Sequence, residues 1–299
     1  MREPVVVACA QAEPALFDRE GTIDKLDGLA GDAAAQGAAL VVFPETFIPV
    51  YPSSRWARFL AGGGEAKAAF ARLARESIEI PGPASDRLAQ VARGRGLWLA
   101  VGANELDRGT IYNALLLYSP EGTLELHHRK LVPTNHERLV WGQGDGGGLE
   151  TVATPFGRVG GLICWENQMP LARFALYEAG AEIYLAPTAD DTEAWHDSLR
   201  HIAREARAFV ISPCVFQRAS SYPKEIQLSD GSELIGRGGS AILGPDGSYL
   251  AGPLWDEEGL LVATLDPQQL YEERQRFDPA GHYHRPDVLS LRVRRPSRR

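Results

Sequence analysis

The sequence has few cysteines and no long apolar segment, so we expect neither a disulfide-rich protein nor a membrane-spanning one. Its three cysteines, Cys9, Cys164 and Cys214, are too few and too widely spaced for a disulfide framework or a structural zinc site. No stretch approaches the roughly 20 apolar residues of a membrane-spanning helix, and the short apolar run at 5–10 is unlike a signal peptide. We therefore expect a soluble, cytoplasmic protein.

The chain also lacks an excess of positive charge, since its net charge is −8 over 299 residues. An acidic chain has no general attraction for nucleic acid phosphates or anionic lipid, so neither partner is expected. The one basic stretch is the tail 292–299, which contains five arginines. We interpret it as a solvated terminus or an oligomer contact; the alternative is a weak electrostatic anchor for an acidic partner.

Apolar runs typical of strands alternate with helical spacing along the chain, which predicts an α/β protein with mixed sheets. No linker, repeat or low-complexity tract interrupts the pattern, so we expect one domain over 1–299 with a short basic tail at about 290–299. The glycine patches 62–64 and 146–148 lack the spacing of a phosphate-binding loop. The predicted helices are 18–36, 66–78, 84–93, 170–179, 192–208 and 267–276, and the predicted strands are 5–10, 39–43, 97–103, 111–118, 123–128, 158–163, 182–186, 210–216, 240–243, 248–251 and 260–264.

Cys164 follows the apolar strand 158–163 and precedes a predicted helix. A junction between a strand and a helix is a rigid support on which a nucleophile can be exposed. The position alone is equally consistent with a buried, inert cysteine. Cys9 and Cys214 lie inside apolar runs, where free cysteine usually packs as a small hydrophobic residue.

Three charged residues lie at predicted strand ends or in the loop that follows. Glu45 comes after the strand 39–43, Lys130 comes after the strand 123–128, and Glu137 lies in the proline-containing loop beyond Lys130. Ligands of α/β proteins bind beyond the carboxyl ends of strands, so these side chains are well placed for acid–base work. Taken alone, each is better interpreted as a surface charge or an ion-pair partner.

The chemistry of a cysteine hydrolase accounts for the set. A thiol has a pKa of roughly 8.5 in water, so it needs a base or a cation to act at neutral pH. A glutamate can take the thiol proton, and a lysine ammonium can stabilise the negative charge that develops on the attacked group. Histidine-assisted cysteine catalysis is the competing scheme, but no motif links any of the seven histidines to Cys164.

At these residues the chain resembles the nitrilase superfamily of carbon–nitrogen hydrolases. Three motifs carry the resemblance: FPETFIPVYP around Glu45, HHRKLVPTNHERLVWGQGDG around Lys130 and GGLICWENQMP around Cys164. The resemblance implies that Glu45 is the general base, Lys130 the catalytic lysine and Cys164 the nucleophile, with Glu137 as a supporting glutamate. It also implies a four-layer α-β-β-α sandwich, no metal or organic cofactor, and a homodimer or higher homo-oligomer.

The segment CWENQMP is similar to the nitrile-cleaving branch of the superfamily. Amidase-like members usually carry aspartate two residues after the nucleophile, where this chain has Glu166. We therefore expect a nitrilase, which forms a thioimidate and then a thioester on its cysteine and releases a carboxylic acid and ammonia. By analogy with the family, Tyr51, Trp165 and Thr188 line the pocket of a small-molecule nitrile, although Tyr51 is equally a core aromatic residue.

Three alternatives stay open on the sequence. The protein is an amidase or carbamoylase of the same superfamily, or a cyanide-degrading enzyme on the same scaffold. The alternative from a different class is a non-catalytic binding protein that kept the fold. The presence of Glu45, Lys130 and Cys164 together counts against it, since a binding protein would not need them.

Overall fold

A computed structural model describes residues 1–53, 65–222 and 233–295 of the chain. Its helices are α1 (Arg19–Ala35), α2 (Glu65–Glu76), α3 (Pro83–Arg95), α4 (Pro170–Glu178), α5 (Glu193–Ala206) and α6 (Pro267–Arg276). Its strands are β1 (Val5–Gln11), β2 (Leu40–Val42), β3 (Trp98–Asp107), β4 (Thr110–Tyr118), β5 (Leu124–Arg129), β6 (Val152–Thr154), β7 (Gly157–Gly161), β8 (Ile183–Leu185), β9 (Phe209–Ser212), β10 (Phe216–Arg218), β11 (Leu234–Leu243), β12 (Tyr249–Trp255) and β13 (Gly259–Leu265).

The strands of the described residues form two mixed sheets. The first has the order β13-β1-β2-β3-β4-β5, with β1, β2 and β3 parallel and the remaining neighbours antiparallel. The second has the order β10-β11-β9-β8-β7-β6, and β12 pairs with β11. In the second sheet β7, β8 and β9 are parallel. The parallel strands at the centre of each sheet therefore end at one edge, where side chains of neighbouring strands can meet.

The two sheets pack face to face, and helices cover their outer faces. Alternate residues of each strand point to opposite faces, so Val7 and Cys9 of β1 join the core between the sheets while Ala8 and Ala10 join the core under α1 and α3. On the other side, Tyr184 of β8 packs in the core beneath α4 and α5. This is the predicted α-β-β-α sandwich.

Helix α1 illustrates how local sequence gives these elements. The Asp18 carboxylate accepts a hydrogen bond from the Gly21 N–H at 2.9 Å and so caps the first turn. Ile23, Leu26 and Ala30 recur at helical spacing and are fully buried against the first sheet. The predicted helix 18–36 is confirmed with its caps included.

Several predicted strands differ from the structure. The predicted strands 97–103, 240–243 and 248–251 are shorter than β3, β11 and β12. The predicted strand 210–216 is wrong as one element, because it divides into β9 and β10 around Pro213, which has no N–H for a sheet ladder. The predicted strand 158–163 ends at Gly161, and Cys164 begins a 3-10 helix, Cys164–Gln168, before α4. The three-residue strand β6 was not predicted, since so short a segment carries little periodicity.

The described part of the chain contains no helix long and apolar enough to cross a membrane. The first half of the basic tail packs on the protein, because Arg295 Nη2 donates a hydrogen bond to the Leu149 carbonyl at 2.8 Å. The glycine patch 62–64 and the tail residues 296–299 lie outside the described residues.

Candidate active site

Glu45 lies just beyond β2 and is completely buried. Its Oε1 atom accepts hydrogen bonds from Asn113 Nδ2 at 2.7 Å and from Lys130 Nζ at 2.8 Å. Its Oε2 atom has no hydrogen-bond partner among the described residues. The turn that carries Glu45 lies directly on β3, where a Cβ atom at Gly102 would be 2.2 Å from the Pro44 carbonyl oxygen. Glycine at this position allows that approach.

Lys130 follows β5 and is equally buried. Its ammonium group lies between two carboxylates, at 2.8 Å from Glu45 Oε1 and 2.7 Å from Glu137 Oε2. The ammonium nitrogen also lies 5.7 Å from the centre of the Trp141 ring. Its backbone N–H donates to the Asn113 carbonyl at 2.7 Å, so the strand ladder with β4 fixes the lysine's position.

Glu137 lies in the 3-10 helix Asn135–Leu139 and makes the contacts of an anchored carboxylate. Besides Lys130, its Oε2 atom accepts the Thr134 N–H at 2.6 Å. Its Oε1 atom accepts the Tyr51 hydroxyl at 2.9 Å. Tyr51, predicted to line the substrate pocket, therefore holds Glu137 in place, and its ring packs 5.8 Å from that of Trp141.

Cys164 begins its 3-10 helix with a φ of 52°, in the left-handed region. Such a conformation is uncommon outside glycine and occurs where surrounding contacts impose it. Here the Cys164 N–H donates to the Pro187 carbonyl at 2.8 Å, and its carbonyl accepts Asn167 Nδ2 at 2.9 Å. The residue is only 4% exposed.

Thr188 contacts the sulfur itself. Its hydroxyl donates to Cys164 Sγ at 3.2 Å and accepts the Asp190 N–H at 2.9 Å, so the hydroxyl proton is directed at sulfur. The residue predicted to bind substrate is therefore also a hydrogen-bond donor to the nucleophile. Trp165 projects outward with 51% of its surface exposed, and its Nε1 donates to Asp190 Oδ2 at 2.8 Å.

The charges of these groups act on one another. Burial raises the pKa of Glu45 to about 7, with the Lys130 ammonium opposing and the Glu137 carboxylate reinforcing the rise. Burial alone would lower the pKa of Lys130, but the Glu45 and Glu137 carboxylates hold that pKa above its ordinary value. Burial and the Glu45 carboxylate raise the pKa of the Cys164 thiol, against the attraction of Lys130.

It follows that Cys164 is a neutral thiol and Lys130 a cation near pH 7. Glu45 changes its protonation state in that range. A base with a pKa near the working pH is best suited to accept and return a proton. The arrangement can therefore deprotonate the thiol during attack and stabilise negative charge beside it, which is acyl-transfer chemistry.

Several residues that build the site carry no recognisable signal in the sequence. Asn113 orients Glu45 from β4, and only its pairing with a residue 68 positions away reveals the role. His128 and Glu166 form a buried pair, with His128 Nε2 at 2.9 Å from Glu166 Oε2. Gly144 allows its segment to lie on the lysine strand, since a Cβ there would be 2.1 Å from the Arg129 carbonyl oxygen.

The other two cysteines are also buried: Cys9 lies in the core between the sheets, and Cys214 lies beside the site, where its backbone pairs with that of Thr188. Burial raises the pKa of both the Cys9 and the Cys214 thiols, in line with the predicted inert role. Within 1–53, 65–222 and 233–295, no group of three or more histidine, cysteine, aspartate or glutamate side chains is arranged to hold a metal ion.

Comparison with known proteins gives consistent matches over the whole fold. The chain is 43% identical to an aliphatic nitrilase of Sinorhizobium fredii, over 96% of this chain and 94% of that protein. It is 41% identical to nitrilase 1 of Arabidopsis thaliana, over 97% of this chain and 86% of that protein. Among solved structures, an amidase from Nesterenkonia sp. AN1 superposes with a TM-score of 0.69 at 22% identity, over 91% of this chain and 97% of that one.

The amidase is too distant in sequence to indicate more than the shared fold. The sequence profile of the carbon–nitrogen hydrolase family matches residues 6–275, which include every residue of the site described above. With that match and relatives above 40% identity over nearly their full length, the chain belongs to the carbon–nitrogen hydrolase family.

Proposed function

We propose that this protein is a nitrilase, which hydrolyses organic nitriles to carboxylic acids and ammonia with Cys164 as its nucleophile. The observation that carries the proposal is the identity of about 40% to proteins named nitrilases, over almost the whole chain. The buried contacts among Glu45, Lys130 and Glu137, with Cys164 electrostatically coupled to them, support the same chemistry.

In the first half of the reaction, Glu45 takes the thiol proton through the oxygen that is not bonded to Lys130. The sulfur of Cys164 bonds to the nitrile carbon, and a π-electron pair moves to nitrogen, which takes from Glu45 the proton that came from the thiol. The product is a thioimidate. The Lys130 ammonium and the backbone N–H of Trp165, in the first turn of its helix, stabilise the charge on nitrogen.

In the second half, water adds to the thioimidate carbon and gives a tetrahedral intermediate that carries sulfur, nitrogen and oxygen. The carbon–nitrogen bond breaks, ammonia leaves, and a thioester remains on Cys164. A second water, deprotonated by Glu45, adds to the thioester. The carbon–sulfur bond then breaks, which releases the carboxylic acid and restores the thiol.

We also propose that this protein releases some amide as a second product of nitrile hydrolysis. A relative from Lupinus angustifolius, 41% identical over 95% of this chain, is named a bifunctional nitrilase/nitrile hydratase. Breaking the carbon–sulfur bond of the same tetrahedral intermediate gives an amide in place of ammonia and thioester. The amide fraction is therefore a direct measure of how this intermediate divides.

We also propose a homodimer formed through the face of α4 and α5. This face carries a groove of about 550 Å³ between α4 and the segment 277–291. Leu171 and Leu289 line the groove and are 69% and 71% exposed, and Val288 beside it is also exposed. Clusters of exposed large apolar side chains usually mark an interaction surface, and a second copy of the chain is the occupant proposed here.

Ammonia release from a substrate panel tests the proposed reaction. The panel contains benzonitrile, phenylacetonitrile, fumaronitrile, the corresponding amides and inorganic cyanide. We expect ammonia from organic nitriles and little from amides. Ammonia from amides alone would assign the chain to the amidase or carbamoylase branch, and ammonia or formate from cyanide alone would identify a cyanide-degrading enzyme.

The cytoplasmic location expected from the sequence stays a prediction.

A further inference from the structure

Glu166 is a buried carboxylate beside the nucleophile that takes no part in the reaction described above. It lies two residues after Cys164 and is 1% exposed. Its Oε2 atom accepts the Ile163 N–H at 2.7 Å, and its Oε1 atom accepts the Leu131 N–H at 2.5 Å. His128 Nε2 adds a third contact at 2.9 Å from Oε2.

These contacts join the two halves of the active site. Ile163 directly precedes Cys164, and Leu131 directly follows Lys130. One carboxylate therefore binds the backbone of the nucleophile turn and the backbone of the lysine strand, which belong to different sheets. A carboxylate with two backbone N–H donors and an imidazole around it has little freedom to move.

The third partner is itself enclosed. His128 is fully buried on β5, and its ring packs on the segment 144–148, where a Cβ atom at Gly148 would lie 2.7 Å from His128 Nδ1. Burial opposes ionisation of Glu166, but His128 and the N–H groups of Leu131 and Ile163 hold the pKa of this carboxyl below its ordinary range. Glu166 is therefore an acceptor for all of its neighbours at neutral pH.

We infer that Glu166 is a positioning residue that fixes Cys164 relative to Lys130, and that this distance decides whether the tetrahedral intermediate releases ammonia or amide. The inference rests on the proposed nitrile hydrolysis. In that intermediate the sulfur moves with the turn of Cys164, while Lys130 moves with β5. Glu166 is the side chain that bonds both backbones next to these residues.

The two ways in which the tetrahedral intermediate can break down differ in whether the leaving atom must first be protonated. Nitrogen has to be protonated before it can leave as ammonia, so the carbon–nitrogen bond breaks only when nitrogen lies beside Lys130 and Glu45. A thiolate leaves with its electron pair and needs no proton first. A displaced turn therefore slows release of ammonia more than release of amide, and the amide fraction of the product rises.

The variant Glu166→Gln tests this directly. Glutamine keeps the size of the side chain but offers one acceptor oxygen, and its NH₂ group then faces one of the two backbone N–H donors. Since a displacement of about 1 Å can reduce a rate about a hundredfold, we expect kcat for acid formation to fall at least about tenfold. We expect the amide fraction to rise several-fold, while KM changes little.

Glu105→Gln is the matched control. Like Glu166, Glu105 is a buried glutamate that contacts a histidine, with His127 Nε2 at 2.8 Å. It also accepts a hydrogen bond from Arg129 Nε at 2.8 Å. It bonds no residue of the nucleophile turn among its described contacts. We expect it to lower stability without raising the amide fraction. An equal amide fraction in Glu166→Gln, Glu105→Gln and the wild-type protein would overturn the inference.

His128→Asn and thiol alkylation provide independent measurements if Glu166→Gln fails to fold. The asparagine variant removes one donor from Glu166 and keeps both backbone bonds, so a smaller rise in amide fraction is expected. The rate at which iodoacetamide alkylates Cys164, located by peptide mass, reports the thiol's surroundings without any nitrile. A changed alkylation rate with no nitrile turnover in any protein would reject the proposed function and the effect on the product ratio, and would support the positioning of Cys164 by Glu166. Unchanged alkylation and product ratio in folded His128→Asn would reject the role of the pair.

Discussion

Glu45 uses its two carboxylate oxygens differently. One oxygen accepts both Asn113 and Lys130, and the other has no partner among the described residues. A buried carboxylate oxygen without a partner is unfavourable, because burial removes its water. Such an atom is placed to accept a proton, and we assign it that role toward Cys164.

We expect Glu45→Gln to remove most of the activity. Glutamine can still accept Lys130 and preserve the packing, but it cannot accept the thiol proton, and loss of a general base reduces a rate by about a hundredfold to ten-thousandfold. The measurement is kcat for a nitrile, with the unfolding temperature as the control for folding. A rate near that of the wild-type protein would reject Glu45 as the base.

The raised pKa of Glu45 predicts how the rate depends on pH. Only the carboxylate accepts a proton, so kcat/KM should rise with pH through about 7. The neighbouring charge of Glu137 contributes to that raised value, so Glu137→Gln should move the rise to lower pH. Tyr51→Phe removes a hydrogen bond to Glu137 without removing its charge, and should leave the position of the rise unchanged. A rise that stays fixed or moves upward in Glu137→Gln would contradict the assignment.

The residues to which we assign catalytic roles could be proposed from the sequence, because each lies in a family motif at a strand end or in the loop that follows. Their supporting contacts could not. Asn113 meets Glu45 and His128 meets Glu166 across 68 and 38 residues of sequence, and such pairs depend on which strands lie side by side. The outward direction of Trp165 follows from its bond to Asp190, which no local pattern reveals.

The segment after the 3-10 helix Asn135–Leu139 packs against the backbone at the end of β5, which carries Lys130. The Gly144 N–H donates to the Lys130 carbonyl at 2.8 Å, and the absent side chain allows this contact. The glycine patch 146–148 has the same use, since it packs on β5 and on the C-terminal segment. Glycine is required for this close packing at Gly146 and Gly148.

Gly144→Ala tests this use of glycine. Its Cβ would lie 2.1 Å from the Arg129 carbonyl oxygen, so the backbone that carries Lys130 has to move. We expect lower stability and lower kcat, measured by thermal unfolding and ammonia release. Gly28→Ala in α1 is the control, because nothing lies within 4 Å of its added Cβ. It should stabilise the protein by about 0.5–1 kcal/mol and leave kcat unchanged. Equal effects of the two variants would contradict the packing argument.

Most elements were predictable because their apolar residues form a continuous run, as in β1, or recur at helical spacing, as Ile23, Leu26 and Ala30 do in α1. The exceptions occur where chain geometry is set by contacts outside the element. Pro213 divides a continuous apolar run into β9 and β10. Cys164 leaves its strand for a left-handed conformation that its bonds to Pro187 and Asn167 stabilise. Such conformations depend on neighbours that periodicity does not record.

For the whole molecule, the sandwich brings the ends of two sheets together and so places Glu45 and Lys130 of one sheet near Cys164 of the other. The layered fold was expected from the family resemblance, since alternating strands and helices indicate only an α/β class. The packing of one sheet on the other is what makes a site from residues that are far apart in sequence.

The proposed dimer face can be tested by substitution of an exposed apolar residue. Leu171→Glu introduces a charge among the apolar side chains that line the groove beside α4, so it should shift the molar mass in solution toward the monomer. Light scattering during size-exclusion chromatography measures this mass. Ala35→Glu, on the exposed end of α1 in the opposite outer layer, is the control and should not change it. A wild-type monomer, or a dimer unaffected by Leu171→Glu, would exclude this interface.

The proposed reaction depends on attack by Cys164 at the nitrile carbon. The test compares ammonia release by the wild-type protein and by Cys164→Ala, with the nitrile that the wild-type protein hydrolyses fastest. The substitution removes the covalent step. The only heavy atom that it removes from the fold is one buried sulfur. We predict that ammonia release falls to the background of buffer while thermal unfolding stays cooperative. Substantial ammonia release by the folded Cys164→Ala variant would contradict the account.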